Sequence, residues 1–251
     1  MIKQLFLFLS LIFLLSNLSC NSVIRRNKDG TIRGAKLNLS HNRLTEIPDY
    51  VFKTNEIRVL NLHHNKLTEL PGEIGLLTNL ERLVISRNKL TSLPPEIGKL
   101  KKLKSLSIKA NKLTELPPEI GDLENLEELR IGFNQLKALP PEICKLKKLS
   151  HIYLEYNQLK SLPENIGEMT GLVQLNIGRN FLDSLPTSFY TLSKLNILDL
   201  SNSGPTLNIA YEICAMRNIE TLYMDRATLE FAPRCLQIRA NSNNRFTIIL
   251  K

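Results

Sequence analysis

Seven asparagines, Asn42, Asn65, Asn88, Asn111, Asn134, Asn157 and Asn180, follow one another at an unvarying interval of 23 residues. Seven prolines, Pro48, Pro71, Pro94, Pro117, Pro140, Pro163 and Pro186, keep the same step. Two residue types in phase over seven copies imply one structural unit repeated along the chain. Units of this size touch only their neighbours, so the chain must stack into a nearly one-dimensional array.

Within a copy the pattern is L-x-x-L-x-L-x-x-N-x-L-x-x-L-P, followed by a segment such as Pro95-Glu96-Ile97-Gly98-Lys99-Leu100. The alternation Leu83-Val84-Ile85 has the period of a strand, with Leu83 and Ile85 facing inward and Val84 outward. Pro94 and Pro95 stop regular structure, so the chain turns there. Asn88 suits the bend, because its amide can bond backbone groups that a turn leaves unpaired. Repeated in register, these amides predict a ladder from copy to copy. The core must be aliphatic, since tryptophan is absent and aromatics make up 6% of the 251 residues. Seven inward positions per copy, Leu83, Ile85, Leu90, Leu93, Ile97, Leu100 and Leu103 in the third, cannot by themselves offset the entropy of ordering the unit. Stability must therefore come from stacking.

This pattern, and the phrase LPPEIGKLKKL from Leu93 to Leu103, resembles the typical 23-residue class of leucine-rich repeat, a class also found in short exported bacterial proteins. The resemblance implies an α/β repeat solenoid: a curved stack with a parallel concave β-sheet and short helical, 3-10 or irregular convex segments. About nine copies fit residues 37–235, after a signal segment at 1–20 and an N-terminal cap at 21–36, and before a closing strand and cap at 236–251. The eighth copy departs, with Ser203 in the asparagine place and Pro205 in a leucine place. The ninth is shifted by one residue and carries Ala227 in the asparagine place, and Phe246 to Leu250 are expected to close the stack as a tenth strand.

The apolar run from Leu5 to Leu15 follows Lys3 and is broken only by Ser10. It is shorter than the about 20 residues a helix needs to cross a bilayer, and it reads as a secretory signal. The junction Ser19-Cys20 resembles the lipobox of bacterial lipoproteins, in which the cysteine is lipidated after cleavage. That family usually has Leu where this chain has Asn17, with Leu18 one place later. Three outcomes stay open: a lipid anchor at Cys20 holding the protein at the bacterial outer membrane or cell envelope, cleavage near Cys20 to Ser22 with release, or an uncleaved anchor.

The resemblance also implies that outward strand positions on the concave side form the contact surface. Copies five to seven place Arg130, Phe133, His151, Tyr153, Glu155, Tyr156 and Arg179 close together there. Tyrosine and arginine are frequent interface anchors, and three clustered aromatics point to a partner surface rather than a plain solvated face. Glu128 and Glu155 could orient Arg130 or receive a basic group. An aromatic patch of mixed charge favours a protein partner, a host surface protein included. All four histidines fall on the same side. His41 and His64 are equivalent places in adjacent copies, about one strand spacing of ~5 Å apart, with His63 beside them. Zinc needs three or four convergent ligands, so these rings are read first as exposed polar positions and only secondarily as metal candidates.

Lysines and arginines outnumber acids 33 to 24, a formal +9. Lys99, Lys101, Lys102, Lys104, Lys145, Lys147 and Lys148 fall on the convex side and offer an alternative, a polyanion such as glycosaminoglycan or lipopolysaccharide. Interleaved acids break that track, and no aromatics accompany it, which argues against specific nucleic-acid binding. Cys144 and Cys214 take a place that other copies fill with glycine, and a bridge between Cys214 and Cys235 is left open by their spacing. No nucleophile and base converge and no phosphate loop occurs, so the expected activity is binding without catalysis or cofactor.

Overall fold

The computed structural model describes residues 35–204, 207–239 and 247–251. The leader, Cys20 and nearly all of the expected N-terminal cap lie outside the described residues. Each copy opens on a short strand: β1 (Ala35–Asn38), β2 (Ile57–Asn61), β3 (Arg82–Val84), β4 (Ser105–Ser107), β5 (Glu128–Arg130), β6 (His151–Tyr153), β7 (Gln174–Asn176), β8 (Ile197–Asp199), β9 (Thr221–Met224) and β10 (Thr247–Leu250). These pair in sequence order into one ten-stranded sheet, parallel throughout. The repeat length sets the register. A step of 23 brings Leu83 opposite Leu106, then Leu129, then Ile152, so one inward row runs through the stack. Between β8 and β9 the step is 24, Leu198 to Leu222, and the row continues through the shift seen in the sequence.

The strands are short because the chain leaves them through a left-handed residue. His41, His64, Arg87, Ala110, Phe133, Tyr156, Arg179 and Asn202 all have φ between 54° and 60°. That conformation costs a non-glycine residue roughly 1–2 kcal/mol. The asparagine that follows offsets the cost. Asn111 accepts the Leu90 N–H at 3.1 Å and donates to the carbonyls of Ile85 and Ile108, each at 3.0 Å. The same three bonds recur at Asn134 and its neighbours, so the expected ladder is present. Ser203 keeps one rung, donating to the Ile177 carbonyl at 2.8 Å.

On the return side, proline starts most of the turns. Pro71, Pro94, Pro117 and Pro140 sit at φ between −65° and −73° and open single 3-10 turns, such as Pro95–Lys99 and Pro118–Asp122. The convex segments of copies one to eight are therefore 3-10. All seven inward positions of the third copy are buried, and one core runs from Leu37 to Leu236, mainly aliphatic but with the ring of Phe189 fully buried in it.

The ninth copy departs from the series. Two α-helices, α1 (Arg226–Phe231) and α2 (Arg234–Arg239), replace the 3-10 turn. Asp225 caps α1, accepting from the Thr228 N–H at 2.8 Å, and also takes the Asn202 N–H at 3.0 Å. Arg226, which the period aligns with the strand exits, starts a helix instead, because a capping aspartate precedes it and no ladder asparagine follows. Cys214 and Cys235 are bridged, with Cα atoms 6.0 Å apart, so α2 is tied to the last 3-10 turn. Beyond them β10 pairs with β9 and closes the sheet. Among the described residues no helix is long and apolar enough to cross a membrane.

Candidate functional site

The left-handed exits aim side chains out of the sheet at the same point of copies one to eight, so residues 23 apart can meet face to face. Phe133 and Tyr156 stack with ring centroids 4.1 Å apart and planes 21° from parallel. Lys109 Nζ lies 4.7 Å from the Phe133 centroid, and the Arg179 guanidinium lies 4.8 Å from that of Tyr156. The result is a four-layer stack of cation, ring, ring and cation across four copies. Each exposed cation–π contact contributes about 0.5–1 kcal/mol and the ring pair about 0.5–1.5 kcal/mol. Phe133 and Tyr156 nevertheless stay 40% exposed each.

Beside this stack, on the strands proper, Arg130 covers Tyr153 at 5.1 Å. Glu128 fixes Arg130, accepting from Nε at 2.9 Å and Nη2 at 2.7 Å, and takes the Ser105 hydroxyl at 2.9 Å. Burial opposes ionisation of Glu128, but the bonds from Arg130 and Ser105 outweigh it and hold the carboxyl below its ordinary range. Glu155 leans across Gly132, where a Cβ would come within 2.6 Å of its carboxylate. Its Oε1 meets Lys109 Nζ at 3.1 Å, and its buried Oε2 has no partner. Glycine at 132 is thus what lets an acid from copy six reach a lysine from copy four.

Of the seven residues expected from the sequence, Phe133, Tyr156 and Arg179 stack together and Glu155 joins them through Lys109, while Arg130 and Tyr153 pair on the adjoining strands. His151 stands next to it but turns to the Ser150 hydroxyl, 2.7 Å from its Nδ1. Lys109 belongs to the patch and was missed by the sequence reading. It shares a strand position with Glu155 two copies on, and only comparison over two repeats would have paired them.

His41 and His64 stack at 4.6 Å, matching the expected strand spacing, and His63 lies 5.4 Å from His41 and 6.0 Å from His64. Burial, then the charges of His41, Arg87 and His64, lower the His63 pKa. Among the described residues no group of three or more histidine, cysteine or acidic side chains could hold a metal ion. Cys144 is free and fully buried, and burial, followed by the nearby Glu168, pushes its thiol up to about 11. A thiol so placed is a poor nucleophile. On the convex side three of the seven lysines face acids. Lys101 reaches Glu124 at 3.6 Å, Lys104 reaches Glu81 at 3.3 Å and Lys147 reaches Glu168 at 3.2 Å. Lys102 and Lys148 donate to the amide oxygens of Asn79 and Asn125.

A family model described as a leucine-rich repeat region matches residues 36–132 and 95–181. No curated protein matches the sequence significantly. Among solved structures, a leucine-rich repeat protein of Leptospira interrogans is 29% identical with a TM-score of 0.57, over 76% of this chain and 61% of its own. This chain therefore spans about three-fifths of that protein's length. A plant peptide hormone receptor, RGFR1, in complex with RGF2, is 28% identical with a TM-score of 0.58, over 72% of this chain and 35% of the receptor. Internalin C2 of Listeria monocytogenes is 20% identical with a TM-score of 0.67, over 78% and 81% of the two chains, a likeness of fold.

Proposed function

The chain belongs to the leucine-rich repeat family, and on that premise we propose that it is a non-enzymatic module that binds another protein through its concave face. The contact residues are Arg130, Phe133, Tyr153, Glu155, Tyr156 and Arg179, with Lys109 added and His151 at the margin. One observation carries this reading: two large rings stay exposed side by side on the variable face, flanked by cations rather than covered. Tyr211 and Phe231 are also exposed but lie outside the concave strands, on the last 3-10 turn and on α1, and Ile249 and Leu250 are on the closing strand β10. The solved complex of the similar plant receptor with its peptide hormone supports a protein or peptide ligand.

The protein is exported and held at a bacterial envelope by a lipid on Cys20, with a host surface protein as the partner. The leader and its Ser19-Cys20 junction support this, as does the Cys214–Cys235 bridge, since such bonds persist in oxidising compartments. The alternative, a polyanion held on the convex face, draws less support, because Lys101, Lys104 and Lys147 already have acidic neighbours. The test compares the full chain with its Tyr153→Ala/Tyr156→Ala variant in pull-downs from envelope and host-cell extracts at two salt concentrations. A protein retained by the parent at both salts and lost from the variant, at unchanged melting temperature, is the expected result. Equal retention by both would remove the concave patch from consideration.

A further inference from the structure

The concave face separates its charges unevenly. Four acids lie on its strand columns, and each is already engaged. Glu128 holds Arg130 and Ser105, and Glu155 holds Lys109. Asp199 is buried, accepts from the Ser201 hydroxyl, and meets Lys251 Nζ at 2.8 Å. Asp225 caps α1, and hydrogen bonds from Thr228 and Asn202 hold its carboxyl below the ordinary range although burial opposes them. Three arginines of the same face, Arg82, Arg87 and Arg179, are exposed, and none makes an ion pair within the described residues. On the convex face Lys101, Lys104 and Lys147 contact acids of adjacent copies, while Lys99, Lys102, Lys145 and Lys148 make no ion pair within the described residues. The concave strand columns therefore offer free positive charge with no free acid beside it.

Position sharpens this contrast. Arg87 and Arg179 are the exit residues of copies three and seven, four strands apart, or roughly 19 Å at the usual strand spacing. Between them lie Ala110, which is small, and then the Phe133–Tyr156 stack. Arg179 contacts Tyr156 through its guanidinium face, which leaves its N–H edge free for a carboxylate. An extended chain crossing the strands advances ~3.3 Å per residue, so two side chains about six residues apart would reach both arginines.

We infer that the partner of the concave face is an acidic protein segment, bound extended across the strands, with carboxylates at Arg87 and Arg179 and apolar side chains over Phe133 and Tyr156. This rests on the concave-face reading and adds the chemistry of the occupant. Charge complementarity selects it, because a basic segment would meet unneutralised arginines.

The probe is a fluorescein-labelled ten-residue peptide with Glu at its second and eighth positions and Leu at its fourth and sixth. Its two counterparts carry Gln or Lys in place of Glu. Fluorescence anisotropy with the full chain should show the Glu peptide binding about tenfold more tightly than the Gln peptide, and the Lys peptide not binding. Arg87→Glu/Arg179→Glu should abolish the preference for Glu, whereas the convex reversal Lys99→Glu/Lys145→Glu should leave it intact. The milder Arg87→Gln/Arg179→Gln pair serves if the reversed chain fails to fold. Equal binding of the Glu and Gln peptides, or a Glu preference that survives loss of both arginines, overturns the inference. So does a heparin fragment that displaces the Glu peptide and is itself lost with the same arginines, because a polyanion would then be the occupant. Loss of peptide binding in Tyr153→Ala/Tyr156→Ala without any effect of the arginines would sink the acidic partner and keep the concave face. No effect of either pair would sink both.

Discussion

Replacing Asn134 with alanine tests the ladder at a position where its loss can be worked out bond by bond. Its Oδ1 accepts the Leu113 N–H at 3.1 Å, and its Nδ2 donates to the carbonyls of Ile108 at 3.1 Å and Ile131 at 2.9 Å. Each carbonyl has a second donor, Asn111 for Ile108 at 3.0 Å and Asn157 for Ile131 at 3.1 Å. Neither is orphaned by the substitution. The Leu113 N–H has no such reserve, and a buried donor left unpaired costs about 1–3 kcal/mol. Adding the two weakened carbonyls brings the expected loss to about 2–4 kcal/mol, read from the urea midpoint and slope. Because repeat arrays can unfold in stages, amide exchange supplies the local measurement. Leu113 should lose protection while Leu136, held by Asn157 at 3.0 Å, keeps it. Serine should cost less than alanine. Ser203 already stands in the ladder with one side-chain bond, and the Leu182 N–H there turns to the Ser203 backbone carbonyl at 2.5 Å. A loss below about 0.5 kcal/mol, or equal protection at Leu113 and Leu136, would show that the ladder fills space without holding the turns.

Why so much of the fold was legible follows from the period. A 23-residue step places like against like, so strand register, inward rows and the asparagine ladder all follow from one number. The C-terminal end was harder because its local signal ran against that number. Asp225 and Thr228 spell a helix start, yet Leu222, Met224, Leu229 and Pro233 can be fitted to a ninth copy, and the fit hid the cap. Ser203 also looked like a break in the ladder, and only its place beneath the Ile177 carbonyl shows that one rung survives.

For the candidate site, strand arithmetic was enough to gather Arg130, Phe133, Tyr153, Glu155, Tyr156 and Arg179, because those residues share columns. What it could not supply was which partner each charge takes. Glu155 could have met Arg130, but Gly132 opens a path to Lys109, and a glycine signals free space only once its neighbours are placed. The convex lysines mislead for a related reason. A run such as Lys101, Lys102 and Lys104 reads as a positive track along the chain, while the acids that meet Lys101 and Lys104, Glu124 and Glu81, come from adjacent copies, as does the neutral amide of Asn79 that takes the Lys102 hydrogen bond. Charge on a stacked repeat must be counted across copies before it is counted along them.

Two further perturbations probe the ends of the stack. Cys214→Ser/Cys235→Ser opens a link that spans 21 residues. On the chain-entropy account this should lower stability by about 3 kcal/mol, and a reductant should reproduce the loss in the parent but add nothing in the variant. An unchanged midpoint would mean that α2 docks without the bridge. At the other end, His63 has a pKa below the 6.5 of an unperturbed histidine, through burial first and the charges of His41, Arg87 and His64 next. The unfolded chain therefore takes up a proton at this site at a pH where the folded chain does not. The stability tied to His63 is complete above about pH 6.5 and is lost as acid carries the pH down through the folded value. The lowered carboxyls of Glu128 and Asp225 lose theirs the same way, but only below the ordinary carboxylate range, so the two windows separate. Urea midpoints of the parent should fall between pH 7.5 and 5, and those of His63→Gln should fall less. Parallel curves would show that His63 titrates alike in the folded and unfolded chain, and its crowding would then carry no energetic weight.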